Sequence, residues 1–113
     1  MGKYFLGQEL IRVTFPDGEW CDIKEELTQG DQDYILTQMA RAQAVGKEAQ
    51  IELNLGKMAI LERSVVAWSF AEDNKSVPVN RENISNLRER YRLLILEEID
   101  RRDTANQEWT KKK

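Results

Sequence analysis

The chain predicts an α+β fold, an N-terminal β-hairpin followed by three or so packed α-helices, with a single domain over residues 1–102 and a polar C-terminal tail at 103–113. Three observations carry this expectation. "ELIRVTF" alternates apolar and polar residues and is rich in β-branched and aromatic side chains, as a half-buried strand requires. "PDGE" follows it as a turn, with Pro16 presetting φ and Asp17-Gly18 suited to a tight loop. From Thr28 onward the apolar period lengthens to that of a helix.

Glu9 to Phe15 reads as the first strand and "WCDIK" as its return. With Asp17-Gly18 as a two-residue loop, Phe15 pairs with Trp20 and Val13 lies opposite Asp22, which leaves Ile23 on the wrong face. A bulge near Cys21 restores Ile23 to the side of Trp20, so the hairpin is bulged or the strand is short. In "LTQGDQDYILTQMARAQAVG", Thr28 or Asp31 is the N-cap, Gly46 the C-cap, and Ile35, Met39 and Ala42 form one stripe. "KEAQIELN" is ambiguous, since Ile51, Glu52 and Leu53 alternate as a strand would but the run is short. A second helix is expected from Asn54, with Met58, Leu61, Val65 and Trp68 as its buried stripe and Ile60 beside it. "AEDNKSVP" ends that helix, and Val77-Pro78 holds the chain extended. Asn80 caps a third helix with Glu82 in its first turn, and Ile84, Leu87, Tyr91, Leu94, Ile95 and Ile99 carry its stripe toward Asp100. Past Arg102 the pattern fades, leaving Trp109 before three lysines.

The chain's 113 residues make one domain's worth, and 41% hydrophobic with 33% charged residues reads as globular. No stretch approaches the roughly 18 apolar residues of a membrane span, and "MGKYFLGQEL" lacks a secretory apolar region. "MGKYFL" also lacks the Ser or Thr of a myristoylation signal at its sixth position. Cys21 is the sole cysteine, which excludes an intrachain disulfide and suits a reducing cytosol. The net charge of −3 divides into −5 over residues 1–80 and +2 over residues 81–113. Arg88, Arg90, Arg92, Arg101 and Arg102 are interleaved with Glu89, Glu97, Glu98 and Asp100, the pattern of a solvated, ion-paired helix face rather than a phosphate-binding stripe.

Chemistry-bearing constellations are missing from the sequence. There is no histidine, which removes Ser-His-Asp and Cys-His nucleophiles, the commonest general base and most zinc sites. Cys21, beside Trp20 in a strand, reads as a small buried or edge thiol. "DQD" at 31–33 has neither the glycine nor the closing glutamate of a calcium loop and fits a helix N-terminus instead. Glu25-Glu26 and Glu97-Glu98 are adjacent pairs that diverge in azimuth on a helix. Phosphate-loop and dinucleotide glycine spacings are absent. The expectation is a non-enzyme with no catalytic residue, no metal and no cofactor. Trp20, Trp68 and Phe70 read as core. Trp109, outside every stripe in a polar tail, reads either as docked locally or as packing on a partner or second subunit, and with Arg88 and Arg92 of the arginine-bearing helix it makes the candidate partner-binding set.

Two stretches together carry a resemblance. "IRVTFPDGEWCDIKEELTQGD" combines an alternating strand, a D-G-x-W turn and an I-K-x-x-L-T step, and "VVAWSFAEDNKSVPVNRENISNL" joins an apolar segment ending in Trp-Ser to P-V-x-R-E-N-I-x-x-L. The chain resembles, over roughly residues 11–100, the tail assembly chaperones of long-tailed bacteriophages. The motifs are fold-level and transfer no functional residue, and "EDNKSVP" lacks the glycine usual in that turn. The resemblance implies a tail assembly protein that binds and shields the tape-measure protein, or another tail protein, during tail morphogenesis in the host cytoplasm, from a phage or a prophage. It implies no membrane association, leaves room for a homo-oligomer, and places the protein outside the mature virion. Proteins of this group are often made in two lengths through a backward ribosomal slip, and Lys111 to Lys113, which read by themselves as a solvated basic tail, are where an adenine-rich slip site would fall. The alternative is a structural virion component of the head-tail connector or tail end, its hairpin used in ring formation. A third reading, a small regulator binding nucleic acid through the arginine-bearing helix, runs against the interleaved charges.

Overall fold

The computed structural model describes residues 9–46 and 48–111, with residues 49–52 by their backbone. The readings of the first eight residues and of Lys112 and Lys113 lie outside this range. The fold is α+β: β1 (Leu10–Thr14) and β2 (Trp20–Lys24) form the N-terminal hairpin, followed by α1 (Gln29–Ala44) and α2 (Ala49–Ser64). The chain continues as β3 (Val65–Trp68), the short strands β4 (Ala71–Glu72) and β5 (Lys75–Ser76), then α3 (Arg81–Asn86) and α4 (Glu89–Lys111). Strands β1, β2 and β3 form an antiparallel sheet in that order, and β4 pairs with β5 alone.

The hairpin register differs from the expected one. The loop holds three residues rather than two: Gly18 N donates to Phe15 O (2.9 Å), Phe15 N donates to Glu19 O (2.8 Å), and Gly18 adopts φ 90°. The extra residue is absorbed in the turn, where glycine tolerates the left-handed conformation, so Val13 faces Cys21 and Ile11 faces Ile23. Ile23 and Cys21 therefore point inward, fully buried. Trp20 is on the opposite face, which corrects its reading as core: it is half-buried beneath Arg12, whose guanidinium is 3.8 Å from the ring centroid. Arg12 is held there by two hydrogen bonds to the carboxylate of Asp22, at 2.9 and 3.1 Å.

The largest departure from expectation is β3. The helix begun at Ala49, with Ile51 to Leu53 inside it, stops at Ser64, and Val65 to Trp68 form a strand on the free edge of β2. Val65 and Trp68 are buried as expected, but for another reason. Cys21 pairs with Trp68 and Ile23 with Val65, so three residue steps of β3 span two of β2 and Val66 is the extra residue of a bulge. The bulge turns both Val65 and Trp68 inward at a spacing of three, which imitates a helical stripe. Two β-branched valines favour the strand, and the third strand gives the hairpin the extra pairing an isolated hairpin needs.

"EDNK" forms a two-residue turn between β4 and β5, with Asp73 at φ 50° and Asn74 at φ 65°. Asp and Asn are the non-glycine residues that best accept this geometry. The 65–87 joint is thus strand, hairpin and extended chain rather than two helices and a break. Trp68 Nε1 donates to Val77 O (2.6 Å), and Val77 and Val79 pack against the core.

The caps fall where local chemistry places them. Thr28 and Asp31 form a reciprocal capping box on α1, and Gly46 follows its end at φ 72°. Asn80 caps α3, its side chain accepting from Asn83 N at 2.8 Å. The final helical stripe is divided at Leu87, extended at ψ 139°. Ser85 Oγ bonds back to Glu82 O (2.8 Å), and Arg92 Nη1 donates to the freed carbonyl of Ser85 (3.3 Å), which satisfies the end of α3. Helix α4 runs through the described part of the stretch expected as a polar tail.

The core lies between the inner sheet face and α2, α3 and α4, and contains Val13, Phe15, Cys21, Ile23, Leu61, Val65, Trp68, Ile84, Ile95 and Ile99. At one end Phe15, Trp68, Phe70 and Tyr91 form an aromatic cluster, with ring centroids 4.9 to 5.7 Å apart. Phe70 is half-buried there rather than fully core. Helix α1 packs along α2, where the missing side chain of Gly56 makes room for Met39: a Cβ at Gly56 would be 3.2 Å from the Met39 sulfur. The radius of gyration is 15.2 Å, above the roughly 13 Å of a compact chain this size, and the extents are 44 × 41 × 23 Å.

Candidate functional site

Four consecutive apolar residues, "LLIL" at 93–96, cover more of α4 than one core-facing stripe needs. Ile95 takes the core position and is fully buried, while Leu93 is 56% exposed. The reason is a groove of about 390 Å³ between α2 and α4. Met58 and Leu61 line it from α2, Leu93 and Leu96 from α4, and Asn54, Lys57, Glu89 and Arg92 supply the polar lining. Leu53, 48% exposed, is one turn before Lys57 on α2. Helices α2 and α4 form two walls of this concavity.

The three sequence-predicted partner residues do not converge. Arg92 lines the groove. Arg88 is one helical turn earlier, exposed, its carbonyl accepting from Tyr91 N and Arg92 N as α4 begins. Trp109 is 77% exposed, but it is 21 positions along the helix from Arg88, roughly 30 Å at 1.5 Å per residue. It continues the face of Arg102 and Asn106 beyond the body of the protein. Single-tryptophan variants should show iodide quenching in the order Trp109, Trp20, Trp68, from 77% exposed through half-buried to 9% exposed. Equal quenching of Trp68 and Trp109 would overturn the assignment.

Of the arginines read as a solvated face, Arg101 fits, paired with Glu97 and Glu98. Arg102 does not. It is buried, on the inward stripe one turn past Ile99, with Nη1 donating to Lys24 O (3.1 Å) and Ser64 Oγ (3.3 Å) and Nε to Asp103 (2.9 Å). Asn106 adds a bond to Glu25 O at 3.4 Å, so the two residues fasten α4 to the end of β2.

A second buried charge, Asp31, ties the other side. Lys24 Nζ and Arg63 Nε each donate to its carboxylate at 2.9 Å, and Thr28 N donates at 3.1 Å. Burial raises the Asp31 pKa, but the hydrogen bonds from Lys24, Thr28 and Arg63 outweigh it and bring the group down to about 2. One carboxylate thereby joins β2, the start of α1 and the end of α2.

Cys21 is fully buried, and burial pushes its thiol up to about 12. So little thiolate forms near neutrality that Cys21 is a packing residue. Among the described residues, no three His, Cys, Asp or Glu side chains gather as metal ligands, and no helix is long and apolar enough to cross a membrane. Compared with protein-family models, curated proteins and solved structures, the chain matches none of them.

Proposed function

We propose that this is a non-enzymatic assembly protein that binds and shields the tape-measure protein of a long-tailed bacteriophage while the tail forms. The supporting observation is the α2–α4 groove, an open channel walled by two helices, with Met58, Leu61, Leu93 and Leu96 as its apolar lining and Leu93 half exposed. Exposed apolar surface next to a concavity marks interaction sites, and a channel of this kind receives an amphipathic helix through its apolar anchors. A tape-measure protein is a long helical client with many such faces.

Co-expression with a helix-rich tape-measure protein tests the proposal. The client is expected in the soluble fraction with this chain and in the pellet without it, and equal solubility in both would remove the proposal's basis. Mass spectrometry of purified particles separates it from the connector or tail-end alternative, since an assembly protein is absent from them and a structural component is retained.

A further inference from the structure

We infer that the α2–α4 groove is built for an acidic amphipathic helix, carrying leucine-like anchors flanked by Glu or Asp, from a chain other than this one. This deepens the reading above, on which it rests for the kind of partner, and adds the seat and the partner's charge. The chain as a whole carries −3, yet the charged side chains lining the groove are Lys57 and Arg92 against the single acid Glu89. Cations on both walls of a channel whose floor is apolar select a partner by charge as well as by shape, because an acidic flank gains two contacts where a basic flank meets repulsion.

The floor suits side-chain anchors. Met58 is adaptable in shape, Leu61 is buried beneath, and Leu93 and Leu96 stand on the facing helix. Trp109, an exposed aromatic of this chain, is a poor occupant in a second copy: Lys111, Lys112 and Lys113 follow it after Thr110 and would bring three like charges toward Lys57 and Arg92. That argues against head-to-tail self-association through this seat and in favour of an acidic partner.

The test uses the full chain and two labelled synthetic helical peptides of about 20 residues, long enough to lie along both walls. One has leucines at helical spacing with Glu on the flanks, and the other replaces every Glu by Lys. Anisotropy titrations should show the Glu peptide binding about ten-fold or more tightly than the Lys peptide, with the difference shrinking as salt is raised. Leu93→Asp should abolish binding, whereas Leu36→Asp, at an equally exposed leucine on α1, should leave it unchanged. Lys57→Glu combined with Arg92→Glu should reverse the peptide preference, and circular dichroism of each variant verifies its fold. Equal affinity for the two peptides, or equal loss from Leu36→Asp and Leu93→Asp, would overturn the inference. Should the Glu peptide bind as expected while no tape-measure client is kept soluble, the groove assignment stands and the phage function falls. Should the client be kept soluble equally well by the Leu93→Asp variant, the reverse holds.

Discussion

Trp68→Ala should destabilise the protein by about 3–5 kcal/mol, a large part of what a domain of this size has to lose. The ring is only 9% exposed and its centroid is 5.3 Å from that of Phe70. It also joins three segments: its backbone pairs with Cys21 on β2, and its indole N–H donates to Val77 O across the β4–β5 turn. Removing it opens a cavity under the sheet, strands the Val77 carbonyl and frees the extended chain leading to α3. Trp68→Phe separates these effects, because it keeps an aromatic filler and loses the hydrogen bond, at a cost of about 1–2 kcal/mol. Urea titration of both variants, followed by far-ultraviolet circular dichroism, reads the difference. Equal losses for Phe and Ala would mean that the hydrogen bond rather than the ring supplies the stability.

Asp31→Asn should cost about 2–4 kcal/mol near neutral pH, and the loss should be pH-dependent. The amide preserves the size of the side chain but leaves Lys24 and Arg63 without their shared counter-charge and weakens the capping box on Thr28. The cost falls toward the lower end because those two cations are each more than a third exposed and regain water. The Asp31 pKa is depressed on folding, from an unfolded value of about 3.9 to about 2. Its contribution is therefore complete above about pH 4 and is lost as pH falls through about 2. The stability curves of the native chain and Asp31→Asn should accordingly converge across that window. Curves that stay parallel down to pH 2 would show that Asp31 acts through shape and capping alone.

Much of this fold was legible because the responsible interactions close within a few residues. Thr28 is three positions from Asp31 and Asn80 three from Asn83. Such contacts depend on residue type and spacing, which a sequence displays directly. Strand Leu10–Thr14, the helices at residues 29 and 81, and the burial of Ile35, Leu61, Ile84, Ile95 and Ile99 all belong to this class. Trp109 was also legible, since a large aromatic outside every stripe has no local reason to be covered.

The groove was only half visible. Arg92 was singled out, but its facing partners Lys57 and Met58 are more than thirty positions earlier, and their convergence depends on how α2 and α4 splay. The surplus apolar width of "LLIL" is the available sign that α4 lines a groove as well as the core. Arg101 and Arg102 make the same point about charge. They are identical neighbours in the sequence, yet a helix turns about 100° between them, so one meets Glu97 and Glu98 in water and the other is buried against Lys24 and Ser64.

By itself, the sequence determined the α+β class, the helix N-caps and most of the large side chains that leave water, Trp20 and Leu94 excepted, because periodicity and local hydrogen bonding are properties of short segments. The tertiary structure alone decided that Val65–Trp68 is a strand. Its hydrogen bonds go to β2, more than forty residues away, and the bulge at Val66 turns Val65 and Trp68 to the same side at the spacing of a helix. The period was real, but a strand with one extra residue and a helix share it, and only the free edge of β2 chooses between them.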